Sequence, residues 1–224
     1  PQDGFLEGLR ALTTEHGVVL VFDEIITGLR FANGGAQELF AVTPDLTALG
    51  KGMANGYPLS VVTGRADIMQ MMEEVFFSFT AGGEALSLAA ALATMCKVQR
   101  EPVVETLRMR GQDVLDGCLD LIHKHGLQDV LKTAGNPVWS FLVIGDAGKY
   151  SQWEIKTLFM QEVQARGILC LGTHNMSYAH GEADVERLLQ VYNEVFPIIQ
   201  DAIENDAMGQ HLRCAPLEPL FKVR

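Results

Sequence analysis

Apolar and polar positions alternate between helical and extended periodicity along the whole chain. Phe5, Leu6, Leu9 and Leu12 recur at the spacing of one helix face, which predicts a helix ending near Gly17. VVLVF (18–22) follows, a β-branched run with no polar side, the pattern of a strand buried on both faces. Apolar segments at 46–49 and 59–63 predict two more strands, ADIMQMM (66–72) a short helix and VFFSF (75–79) another strand. EALSLAAALATMCKV (84–98) is apolar nearly all round and predicts a buried helix.

Pro102 suits the first position of a new helix that runs to Gly126, with Gly111 and Gly117 weakening its amphipathic pattern. The domain boundary is expected there, giving 1–101 and 102–224. In the second part VWSFLVI (138–144) predicts a strand, and Ser151 with Glu154 a capping box opening a helix that stops at Gly167. ILCLG (168–172) predicts a strand, MSYA (176–179) a short one, and 182–203 a long final helix. The proline-bearing tail, 211–224, is expected to run along the surface. Helix and strand alternate in the first part, and the second reads as a smaller α+β unit. The fold class is therefore α/β.

Composition narrows the function. The chain has 224 residues, a net charge of −11 and no stripe of Lys and Arg, which argues against nucleic acid or anionic lipid as a partner. No apolar run reaches the length of a membrane span, and the first residues carry neither a secretory nor a transit pattern. Cys96, Cys118 and Cys170 sit in apolar contexts, and with Cys214 they show no C-x-x-C spacing. Buried free thiols and a cytoplasmic location are expected.

Two features carry chemistry. Asp23 and Glu24 directly follow the VVLVF strand, and carboxylates at the carboxyl end of a parallel strand lie where open α/β sheets bind ligands. Lys51, between Gly50 and Gly52, is placed similarly after the 46–49 segment. A P-loop requires Ser or Thr after its lysine, where Gly52 stands, and a G-x-G-x-x-G fingerprint matches poorly. A solvated loop lysine remains an equal reading on spacing alone. His123 and His125 face different ways on a helix, and His174 and His180 read as surface or structural residues, so no metal site is expected.

FDEIITGLR, PDLTALGKGMANGYPLSVVTG and FSFTAGGEALSLAAALAT, in that order, resemble the class III aminotransferases of fold type I. These enzymes depend on pyridoxal 5′-phosphate (PLP), and the resemblance is to the branch containing glutamate-1-semialdehyde 2,1-aminomutase. It covers the carboxy-terminal half of such an enzyme, implying part of a large domain with a mostly parallel sheet, followed by the small α+β domain. By this resemblance Lys51 matches the lysine that forms the Schiff base with PLP. Asp23 matches the buried aspartate on the pyridine nitrogen, and Ile25 the residue on one ring face. Thr80, with Ser78 as the weaker alternative, matches the threonine that reaches the cofactor phosphate of a neighbouring subunit. A homodimer with shared active sites, a small-molecule amino donor and a carbonyl acceptor are implied. Gly82 and Gly83 would let the following helix begin close to the phosphate, where its N-terminus favours an anion. Thr173, His174 and Asn175 stand where the aminomutase branch carries an acidic pattern, which points to another amino substrate. Glu24 is left as loop organiser, salt-bridge partner or catalyst, and Arg30 as carboxylate partner or surface ion. A noncatalytic dimerisation module and a nucleotide-binding α/β domain remain the alternatives.

Overall fold

The structure, a computed structural model, describes residues 1–76 and 80–219, which fall into two units, Pro1–Glu105 and Thr106–Arg224. In the first, α1 (Phe5–Glu15) leads into β1 (Val21–Asp23), and α2 (Ala36–Leu39) precedes β2 (Leu46–Leu49). A 3-10 turn (Lys51–Ala54) follows directly, then β3 (Val61–Gly64), α3 (Ala66–Met69), a second 3-10 turn (Gln70–Glu73) and α4 (Ala85–Arg100). The sheet order is β1-β2-β3. β1 and β2 are parallel, in the register Val21↔Leu46 and Asp23↔Ala48, whereas β2 and β3 are antiparallel. Connection length accounts for the difference: residues 24–45 are long enough for a crossover, and residues 50–60 are not.

Several expectations change here. Only Val21 and Phe22 of the VVLVF run join the sheet, and Val18, Val19 and Val21 are exposed, so no described element covers that face of the edge strand. Helix α4 forms as expected but is not buried. It packs through Ser87, Ala91 and Val98, a narrow stripe at helical spacing, while Leu86, Leu88 and Leu92 are 57%, 48% and 61% exposed. Cys96, expected to be buried, is exposed on the same helix. Val75 and Phe76 lie in no strand, and the rest of the expected 75–79 strand falls outside the described residues.

In the second unit α5 (Val103–Lys124) is followed by β4 (Leu131–Asn136), β5 (Trp139–Ile144), α6 (Gln152–Ala165), β6 (Thr173–Asn175), α7 (Glu182–Glu204) and α8 (Met208–His211). The sheet β4-β5-β6 is antiparallel throughout. Its core is aromatic: Tyr192 stacks on Phe196 at 5.5 Å between centroids and meets Phe159 edge-on at 5.4 Å, all three fully buried. Burial of each phenylalanine stabilises the unit by about 1.5–3 kcal/mol. The expected capping box is present, with the Ser151 N–H donating to Glu154 Oε2 at 2.9 Å. α7 runs through Pro197 without interruption. The glycines that weaken the α5 pattern mark close approaches: a Cβ on Gly111 would lie 1.8 Å from the Pro137 carbonyl oxygen, and one on Gly117 2.4 Å from Leu189 Cδ1.

ILCLG is not a strand. The first bond to β5 comes at its last residue, Gly172, where φ is +82° and the chain bends into β6. MSYA is not a strand either, and β4, with glycine and lysine inside it, carries too weak an apolar pattern to be read.

Candidate active site

The parallel pairing of β1 and β2 brings their carboxyl ends side by side. Asp23 closes β1, and the Glu24 N–H continues the ladder by donating to the Ala48 carbonyl at 2.9 Å. Gly50 and Lys51 come immediately after β2. Asp23 is exposed rather than buried, because it shares with Val21 the face of β1 that no described element covers; its Oδ1 accepts the Ile25 N–H at 3.0 Å, which fixes the turn that follows. Ile25 is half-buried beside the lysine turn, since a methyl placed on Gly50 would sit 3.6 Å from Ile25 Cγ2.

Lys51 is exposed and has φ +44°, a left-handed conformation that costs a non-glycine residue roughly 1–2 kcal/mol. The surrounding turn imposes it. Met53 N–H donates to the Gly50 carbonyl, Asn55 N–H to that of Gly52, and Ala54 is fully buried where the turn packs on α4. A Cβ on Gly52 would meet nothing within 4 Å, so the space beside Lys51 is open. Strain of this kind is tolerated where the surrounding structure over-determines a residue, and such positions concentrate at functional sites.

Glu24 is the loop organiser. At 1% exposure its carboxylate accepts the N–H groups of Ala36 (2.6 Å) and Gln37 (2.9 Å) and the Thr27 hydroxyl (2.7 Å), with Gln37 Nε2 at 3.3 Å. Gln37 also reaches Thr47 of β2, so the carboxylate ties the loop after β1 to the neighbouring strand. Arg30, in the same loop, is half-buried, and that burial lowers its pKa. Asp45 is the partner that sequence reasoning missed. It accepts the Leu20 N–H at 2.7 Å, Arg65 at 3.0 Å and Arg10 at 2.9 Å, and these donors hold its carboxyl well below the usual carboxylate range. An acid just ahead of a strand was its only sequence signal.

Thr80 is exposed in the turn before α4, and Ser78 lies outside the described residues. Two of the backbone donors at the N-terminus of α4 are already engaged. Glu84 caps it, accepting from Leu86 N at 2.8 Å and Ser87 N at 2.7 Å.

In the second unit Thr173, His174 and Asn175 form β6. His174 is structural: buried, with Nδ1 3.0 Å from Ser140 Oγ and Nε2 2.9 Å from the Tyr192 hydroxyl, and its pKa is pushed down to about 4 by burial. Among the described residues no cluster of His, Cys, Asp and Glu is placed to hold a metal, and no helix is long and apolar enough to cross a membrane.

The two-unit fold is that of the transaminases. The FumI protein of Sphingopyxis sp. MTA144, solved as its PLP internal aldimine form, superposes with a TM-score of 0.81 at 26% identity, over 89% of this chain and 48% of that one. An omega-transaminase from Sphaerobacter thermophilus shares the fold at a TM-score of 0.77 and 23% identity, over 89% of this chain and 48% of its own. The family model for aminotransferase class-III matches residues 1–180, and the chain belongs to that family. Glutamate-1-semialdehyde 2,1-aminomutase 2 of Brevibacillus brevis is 33% identical over 85% of this chain and 47% of its own length. The aminomutase of Desulfotalea psychrophila is 32% identical over 90% and 50%. The chain thus spans about half the length of these curated relatives.

Proposed function

We propose that the chain carries the cofactor-holding part of a PLP-dependent aminotransferase or aminomutase, moving an amino group between a small-molecule donor and a carbonyl acceptor. The observation that carries this reading is the placement of Asp23 and Lys51 at the carboxyl ends of adjacent parallel strands, with Ile25 against the residue before the lysine. The donor set fits the cofactor: a primary amine beside open space, and a carboxylate with only one oxygen engaged by a described residue. When bound, PLP supplies an electron sink for charge on the substrate carbon. Asp23 would keep a proton on the ring nitrogen, since a carboxylate at hydrogen-bond distance favours the cation. Lys51 Nζ would hold the cofactor and, once released, carry a proton to and from the substrate carbon. Ile25 would cover one ring face and exclude water.

Thr80, with Ser78 as the alternative, would give its hydroxyl to the phosphate of a cofactor held by a second subunit; the exposed position of Thr80 supports this. A homodimer with shared sites follows, and free thiols support a cytoplasmic setting. The exposed leucines of α4 favour a second reading, a noncatalytic module that serves in dimerisation. Substitution separates the two. Lys51→Ala is expected to abolish amino transfer in the intact enzyme without changing its oligomeric state, and full activity in that variant refutes the assignment.

A further inference from the structure

The chain holds two Asn-Gly pairs, Asn33-Gly34 and Asn55-Gly56, and the fold treats them differently. All four residues are exposed, so exposure does not separate the pairs. At the first, the Gly34 N–H donates to the Glu38 carboxylate, and a methyl placed on Gly34 would lie 2.7 Å from the same Glu38 Oε2. At the second, a methyl on Gly56 would meet nothing within 4 Å. The Gly56 N–H and the Asn55 carboxamide find no hydrogen-bond partner among the described residues. Asn55 also closes the 3-10 turn that carries Lys51. It has φ +48° and ψ +48°, a left-handed conformation that asparagine tolerates better than most residues, and its N–H donates to the Gly52 carbonyl at 3.2 Å.

We propose that Asn55 is a modification site, where the side-chain amide is lost with water as the only co-reactant. Hydroxide takes the proton of the Gly56 N–H, and the freed nitrogen attacks Asn55 Cγ. The bond from Cγ to Nδ2 breaks, and ammonia leaves with a proton from water, which restores the hydroxide. Water then opens the resulting succinimide ring at one carbonyl or the other, giving aspartate or isoaspartate. Glycine hinders the attacking nitrogen least because it has no Cβ. At Asn33 the same nitrogen is held by a carboxylate, and a neighbouring negative charge disfavours loss of its proton. The consequence falls on the turn. Aspartate adds a negative charge four residues after Lys51. Isoaspartate routes the main chain through the former side chain and breaks the geometry of the Asn55-to-Gly52 bond that closes the turn. The step needs the turn and not the cofactor, so it stands apart from the cofactor reading.

Incubation of the 224-residue chain at mildly alkaline pH, followed by tryptic mapping, reads the two sites on separate peptides, Phe31–Lys51 and Gly52–Arg65. Conversion of Asn55 is expected to run about tenfold or more ahead of Asn33, the factor that a hydrogen bond to a charged group supplies. In denaturant, where Glu38 is no longer held against Gly34, the two should convert at similar rates. Glu38→Ala should raise Asn33 toward Asn55 and leave Asn55 unchanged, and an Asn33 that stays slow in that variant overturns the assigned cause. Asn55→Gln, which needs a larger ring, should end conversion in its peptide. Equal rates at the two sites in the folded parent overturn the proposal, as does an Asn55 that converts only in denaturant. In the isoaspartate fraction the Met53 and Tyr57 amides, both bonded within the turn, are expected to exchange faster; unchanged exchange overturns the effect on the turn.

Discussion

His174 makes the stability of the second unit depend on pH in a defined window. The imidazole is buried between Ser140 and Tyr192 and stays neutral in the folded protein down to about pH 4, against 6.5 for an unperturbed histidine. Above 6.5 neither the folded nor the unfolded chain protonates it, so no dependence arises there. Between 6.5 and 4 the unfolded chain binds the proton and the folded chain does not, and stability falls as pH falls. Below that window both forms are protonated and the loss is complete. The shift corresponds to about 3 kcal/mol over the window. Both tryptophans, Trp139 and Trp153, lie in this unit, so their fluorescence follows its unfolding in urea. His174→Gln keeps a donor and an acceptor but cannot titrate. The parent should lose about 3 kcal/mol more than His174→Gln between neutral pH and pH 4, beyond the carboxylate effects common to both. Parallel loss in the two proteins refutes the buried neutral imidazole.

Two further perturbations test the site and its surroundings. Glu24→Gln leaves one acceptor oxygen where two now serve four donors, so it should destabilise the loop by about 1–3 kcal/mol and speed exchange of the Ala36 and Gln37 amides; unchanged exchange contradicts the loop-organising role. Cys96 and Cys214 should react with a thiol reagent in the native protein, while Cys118, whose thiol burial pushes up to about 12, should react only on unfolding; early labelling of Cys118 contradicts the packing of α5.

What the sequence made legible was local and periodic. The 3.6-residue pattern located α1 and α5, the alanine- and leucine-rich run located α4, and the Ser151–Glu154 pair located the start of α6, because each element's signal lies within its own residues. Strands depend on a partner the sequence does not name. VVLVF and ILCLG carry strong β character, yet only two residues of the first lie in a strand and none of the second, since the described chain offers no further strand beside them. Burial failed for the same reason. An all-apolar helix such as α4 reads as buried, but burial requires something to pack on, and only its small-residue stripe finds it. In the site, the spacing of Asp23 and Lys51 pointed to strand ends, and the parallel register places those ends together. Glu24 and Asp45 were harder to read because their roles come from backbone donors brought close only by the fold.

The central claim is that Lys51 holds the cofactor. Titration of the chain with PLP, followed by borohydride reduction and peptide mapping, tests it most directly. The expected result is an absorbance band on binding and a reduced pyridoxyl group on the peptide containing Lys51, absent in Lys51→Ala. Cofactor fixed on another lysine in the parent protein, with Lys51 unmodified, contradicts the account.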